Sequence, residues 1–190
     1  MLKGLRIRMA RGRDIPGLLT FFIRLDRDLY ARKFYRAYRC DGLNVLLSLL
    51  SLTYALLICN NLRHYLGRFY IFVVLWYRGS CAGVCHISVR KQENRLVGSY
   101  GIAIDRAFRG RGLGLMISRY ALLLARKLGV ERVYLRVDTD NSRAIKLYRS
   151  LGFRVCGRTR EFRYFTNSYV DQFVMKLELT AECGRKNHSS

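Results

Sequence analysis

VGSYGIAIDRAFRGRGLGLMISRYALLLARKLG, residues 97–129, contains the change of period on which the fold turns. VGSYGIAI is a strand-like run that ends at Asp105. RGRGLG, Arg109 to Gly114, then sets three glycines at alternate positions. Beyond Gly112, Leu115, Met116, Tyr120, Leu123, Leu124 and Leu128 recur at helical spacing until Gly129 stops them. A strand that ends in a glycine-rich turn opening a helix gathers unpaired backbone N–H groups and the positive end of the helix dipole at one point. Glycine removes the Cβ that would hold an anion away and admits backbone angles costly to other residues. The stretch reads as a phosphate cradle.

Two familiar cradles do not fit it. A Walker loop needs Lys-Ser/Thr after its last glycine, where this chain has Leu115 and Met116. A dinucleotide fingerprint needs GxGxxG, whereas Gly110, Gly112 and Gly114 run GxGxG.

Near the N-terminus, Leu5, Ile7 and Met9 alternate with basic residues, as in a half-buried strand. Asp14 is placed to cap a helix with Pro16 in its first turn and Leu18, Leu19, Phe22 and Leu25 on one face. FYIFVVLWY (69–77) and GVCHISVRK (83–91), joined by RGS, read as a hairpin, and Gln92 to Arg95 is a second turn. Downstream come a strand at VYLRVD (133–138), a short helix in NSRAIKLYRSLGF closed by Gly152, and closing strands at VCGRTREFRYF and DQFVMKLEL. Leu43 to Cys59 is apolar nearly all round, yet short of the about 20 residues a membrane span needs and interrupted by Asn44, Ser48, Ser51 and Thr53. It reads as a helix buried in the core or at an interface. The expected fold is α/β (α+β), a single domain over residues 1–180 with a flexible tail at 181–190.

The length of 190 residues suits one domain, and an apolar fraction of 51% excludes disorder. The net charge of +22, with a pI near 10.4, is spread along the chain and fits a polyanionic partner: nucleic acid, a ribosome, anionic lipid or a phosphorylated cofactor. Six cysteines show no CxxC pair and no secretory signal precedes them, which reads as reduced thiols in a cytoplasmic protein. Cys81, Cys85 and His86 lie close in sequence. A zinc site takes four ligands in paired spacings, so no metal is assigned to them.

A second element lies in DTDNSRAIKLYRSLGF, where Asn141, Ala144 and Tyr148 fall at i, i+3 and i+7 and share one helix face. Singly, Asn141 reads as an N-cap and Tyr148 as a core tyrosine. Taken with the glycine turn, they make the chain resemble the GNAT-type N-acetyltransferases. Arg109, Gly112 and Gly114 fit that family's Arg/Gln-x-x-Gly-x-Gly/Ala pattern; Asn141, Ala144, Leu147-Tyr148 and Gly152-Phe153 fit its later one. The resemblance is clear from Val97 to Phe153 and nearest in pattern to the ribosomal-protein alanine N-acetyltransferases. Residues 26–66 match nothing in the family beyond an expected second helix.

The resemblance implies a mixed, mostly antiparallel sheet of about six to seven strands with about four helices, one parallel pair splaying to admit acetyl-CoA. In similar proteins the strand at Ile102, Ala103 and Ile104 pairs with the pantetheine arm, and backbone N–H groups of Arg109, Gly110, Arg111, Gly112, Leu113 and Gly114 hold the pyrophosphate. Asn141 bonds the arm, Ala144 lets it pass, and Tyr148, with an ordinary pKa of about 10, protonates the departing thiolate. The acceptor implied is an amine, foremost a protein N-terminal α-amine such as that of a ribosomal protein, with a small amine or lysine as the alternative. A silent member of the fold that binds nucleic acid or membrane stays open. Arg136 stands where relatives carry a catalytic glutamate, which leaves Tyr100, His86, Asp138, Glu161 or water as the base.

Overall fold

A computed structural model describes residues 4–34, 68–163 and 167–179. The apolar run 43–59 and the tail 181–190 lie outside the described residues. Among these residues the chain forms, in order, β1 (Leu5–Met9), α1 (Ile15–Asp26), α2 (Leu29–Phe34), β2 (Arg68–Tyr77), β3 (Ser80–Gln92), β4 (Arg95–Ile104), α3 (Leu113–Lys127), β5 (Val130–Asp138), α4 (Ser142–Ser150), β6 (Arg154–Arg163) and β7 (Ser168–Glu178). Apart from α2, which falls in a stretch not expected to be helical, these elements follow the order expected from the sequence; the helix expected at 43–59 lies outside the described residues. One mixed sheet runs β1-β2-β3-β4-β5-β7-β6, with β4 and β5 parallel and every other pair antiparallel.

The antiparallel part is set by local chemistry. Arg78 and Gly79 between β2 and β3 both have positive φ, as do Glu93 and Asn94 between β3 and β4. Two-residue turns of that hand match the twist of the strands they join. Side-chain alternation then sorts two layers. Ile71, Val73, Cys85, Ile87, Val133 and Leu135 bury against α3 and α4, whereas Phe72, Val74, Val84 and Ala103 bury against α1. A bulge at β2 and β3 shifts the register between Leu75 and Trp76, so Cys81 goes to the α1 layer and Cys85 to the other. Burial pushes both thiols up to about 12, which leaves them as inert core residues.

Three local expectations are corrected. Asp14 makes no side-chain cap on α1; it is buried, taking two bonds from the Arg8 guanidinium at 2.6 and 2.7 Å and one from the Arg11 N–H. An arginine fork on a carboxylate outcompetes a capping bond because it neutralises the charge that burial would penalise. On α1, Phe21 rather than Leu19 faces the core. On α3 the buried face is Leu113, Ile117, Ser118, Ala121, Leu122 and Ala125, while Met116 and Leu123 are exposed. The small residues Ala121 and Ala125 let α3 lie close on β2, β3 and β4, so packing distance overrides residue size.

Candidate active site

The parallel pair is zipped for only four positions. Leu96, Val97, Gly98 and Ser99 pair with Val130, Arg132, Val133 and Tyr134, and no ladder pair joins the two strands beyond Ser99 and Tyr134. Their outer edges stay paired, β4 with β3 up to Ile104 and β5 with β7 up to Asp138. The strands therefore part into a V whose inner edges, Tyr100–Ile104 and Leu135–Asp138, offer unpaired main chain. A cleft of about 1060 Å³ opens there, lined among others by Ile102, Ile104, Gly112, Asn141, Ala144 and Tyr148.

At the mouth of the V, Gly112 caps α3 with φ of 74° and no side-chain cap. A Cβ built on it meets nothing within 4 Å. The first N–H groups of a 15-residue helix thus face open space. Arg143, from the first turn of α4, brings its guanidinium beside the loop, 3.5 Å from where a Cβ on Gly110 would sit, and it has no ion-pair partner among the described residues. Orphan amides, a helix dipole and a free guanidinium make a fit for a diphosphate, the group that the cradle reading requires.

The residues singled out in sequence divide as follows. Ile102, Ile104, Arg109, Gly110, Gly112 and Gly114 line the cleft, as do Asn141, Ala144 and Tyr148. The Ala103 side chain alternates to the α1 layer, where it is buried, so Ala103 offers the cleft main chain only, the part that the expected pairing with an extended arm uses. Leu113 is core and can offer the cleft only backbone, and the exposed Arg111 guanidinium lies 5.9 Å from the Phe108 ring. Arg109 directs its side chain away from the loop, donating Nε–H to the Ile104 carbonyl at 2.9 Å, pairing with buried Asp28 and stacking on Tyr30 at 4.8 Å.

Asn141 is an N-cap, accepting from the Ala144 N–H at 3.1 Å, and it also accepts from the Tyr30 hydroxyl at 2.9 Å. Burial, offset by nearby Arg143 and Arg109, raises the Tyr30 pKa and keeps it a donor. Sequence reasoning missed Asp28 and Tyr30. Their partners lie far along the chain, and no local signal marks them beyond a tyrosine-rich stretch.

Tyr148 is buried at the cleft wall, its ring edge-on to Tyr100 at 5.7 Å and to Phe153 at 6.0 Å. Tyr100 shares a 2.6 Å hydrogen bond with Ser118, whose Oγ donates to the Gly114 carbonyl at 2.6 Å. Tyr100 therefore donates, and burial raises its pKa well above the ordinary value, so it stays protonated. His86 lines the cleft with its pKa lowered by burial to about 4; it is a neutral imidazole and a weak base. Asp138 is held by Arg163 and by the Gln172 amide at 2.7 Å. Arg136 is exposed on the cleft wall, and Glu161 sits on β6 outside the lining residues.

The chain that builds this parted sheet and glycine-capped helix matches a family pattern along more than half its length. Residues 47–153 fit the Acetyltransferase (GNAT) family, and the chain belongs to that family. It is 45% identical over 77 residues to the N-alpha-acetyltransferase RimI of Mycobacterium tuberculosis, a match covering 40% of this chain and 46% of that protein. The chain thus spans about half the length of that relative. In fold it is similar to the ribosomal-protein-S5-alanine acetyltransferase of Vibrio fischeri, with a TM-score of 0.74, 15% identity and 94% of each chain covered. It is also similar to Salmonella typhimurium yncA, solved with its cofactor acetyl-CoA, with a TM-score of 0.70, 18% identity and 96% and 98% covered.

Proposed function

We propose that the protein is an acetyl-CoA-dependent N-acetyltransferase whose acceptor is the α-amine of a protein N-terminus. The observation that carries this reading is the parting of β4 and β5 after Ser99 and Tyr134, directly before the Gly112 cradle. Family membership and the acetyl-CoA in a similarly folded neighbour support the cosubstrate. The RimI relative, an N-alpha-acetyltransferase, supports the α-amine.

When bound, acetyl-CoA supplies an activated acetyl group: a C–N bond forms to the amine as the C–S bond breaks. The rest falls to this chain. The main-chain edges of β4 and β5 orient the extended arm, with Asn141 and Ala144 along the same wall. The amides at 110–114 and Arg143 hold the diphosphate. Tyr148 gives its proton to the leaving sulfur and regains one from solvent. An N-terminal amine with a pKa of about 8 is partly neutral at physiological pH, so its surplus proton passes to solvent without a dedicated carboxylate, in keeping with Arg136 at the usual glutamate position. Holding two substrates in line supplies much of the rate.

Free-thiol release from acetyl-CoA, measured with an N-terminal alanine peptide, an internal-lysine peptide and a polyamine, tests the reading. Thiol release dependent on the alanine peptide is expected; release driven only by the polyamine or the lysine peptide overturns the assigned acceptor.

A further inference from the structure

The α1 side of the cleft, on the sheet face away from α3 and its glycine cap, carries an unbalanced charge. Alternation places Arg68 and Tyr70 of β2, His86, Ser88 and Arg90 of β3, and Arg132, Tyr134 and Arg136 of β5 on the α1 side of the sheet, opposite the α3 layer. The four arginines all line the cleft. Arg68 and Arg90 stand directly opposite each other on neighbouring strands, Arg90 is opposite Val97, and Val97 is opposite Arg132. Like charges directly opposite in a sheet oppose folding. Arg132 is matched by Glu178 at 2.9 Å, whereas Arg68, Arg90 and Arg136 are exposed with no ion-pair partner among the described residues. The intervening sequence 35–67 contains a single acid, Asp41, against Arg36, Arg39 and Arg63; one carboxylate cannot answer three guanidiniums. The cleft's own acids are Glu93 and Asp138, and Asp138 is already taken by Arg163 and Gln172.

We infer that this arginine row selects acceptors whose residues just after the N-terminal amine are acidic. The inference rests on the N-acetyltransferase reading above. The V opens at Ser99, and Val97, the neighbour of Arg90, lies two residues back, about 7 Å along the strand. An extended peptide covers about 3.3–3.6 Å per residue. With its amine at the opening, its second to fourth residues lie over the guanidiniums of Arg90 and Arg68, while Arg136 flanks the amine end. Carboxylates there relieve the Arg68–Arg90 repulsion and form paired, bidentate contacts. A basic peptide meets the same row as a barrier.

Three labelled peptides with a common N-terminal alanine and Asp/Glu, Ser/Gly or Lys/Arg at positions two to four test the proposal. Binding is read by fluorescence anisotropy on the full chain, and thiol release from acetyl-CoA in parallel. The acidic peptide is expected to bind about tenfold tighter than the neutral one, with an advantage that shrinks as salt rises. Arg68→Glu with Arg90→Glu should reverse the order, and Arg90→Lys should keep part of it; melting curves establish that the variants fold, and the native protein's peptide ranking stands independently of them. Acetylation that is equal across the three peptides, or best for the basic one, overturns the charge selection and leaves the transferase reading intact. Preferred binding of the acidic peptide without thiol release sustains the charge selection and overturns the transferase reading. Absence of binding to all three overturns the proposal.

Discussion

The Tyr30 hydroxyl donates to Asn141 Oδ1 at 2.9 Å, across 111 positions of sequence. The same oxygen caps α4 through the Ala144 N–H, and the Tyr30 ring lies 4.8 Å from the Arg109 guanidinium. One side chain of α2 thus fixes both the start of α4 and the strand-to-loop corner at Arg109, the two walls between which the cradle opens. Asp28, two residues earlier, pairs with Arg109 and holds the Tyr30 N–H at 3.0 Å.

Tyr30→Phe keeps the ring on Arg109 and removes only the hydroxyl. The expected loss is about 0.5–1.5 kcal/mol of stability, the ordinary worth of one hydrogen bond, together with a raised KM for acetyl-CoA as Asn141 loses one of its two restraints. Thermal melting and acetyl-CoA saturation curves measure the two effects. An unchanged KM beside a lowered Tm would confine the bond to a structural role.

Tyr148→Phe preserves the edge-on contacts with Tyr100 and Phe153 and deletes the proton donor. Turnover should fall by about 10²-fold or more, the usual weight of general acid catalysis, with acetyl-CoA affinity held. A variant that keeps wild-type kcat removes Tyr148 from the chemistry.

Gly112 and Gly114 make opposite demands. At Gly112 there is room for a Cβ, but φ of 74° is costly for a β-branched side chain. Gly112→Val should therefore cost about 1–3 kcal/mol of strain and, by filling the anion's approach, abolish acetyl-CoA binding. At Gly114 a Cβ would lie 3.5 Å from Leu147 Cδ2, an ordinary contact, so Gly114→Ala should bind nearly as wild type. Calorimetric titration with acetyl-CoA separates the two; equal binding by both variants would refute the cradle.

The β2–β3–β4 meander was legible because its β-branched and aromatic runs are broken at Arg78-Gly79 and Glu93-Asn94, turn residues that take positive φ. The cleft was legible in outline because RGRGLG and the Asn141-to-Tyr148 face are local patterns. What stayed hidden depends on distance in space. The face of α3 is chosen by how closely Ala121 and Ala125 approach the sheet, which composition does not reveal. Asp28 and Tyr30 acquire their meaning only from Arg109 and Asn141. Asp14 reads as a cap until Arg8, brought beside it by β1, claims its carboxylate.

His86 gives the fold a titration in the mildly acidic range. Its ring lies so close over Gly101 that a Cβ there would come within 2.3 Å of Cε1, and burial lowers its pKa to about 4. In the unfolded chain the imidazole titrates near 6.5. Between these values the unfolded state binds a proton that the native state refuses, so stability is full above about pH 6.5 and falls as pH drops towards 4, levelling off once the native imidazole also protonates. The contribution at neutral pH is at most about 3 kcal/mol. Urea titrations at pH 7, 5.5 and 4 should show this decline in the wild type and a flatter profile in His86→Gln. Gly101→Ala, which forces the ring outward into water, should return the His86 pKa towards 6.5 by NMR titration and remove the same slope. A wild-type stability that is constant from pH 7 to 4 would mean that His86 is hydrated in the cleft rather than held dry against β4.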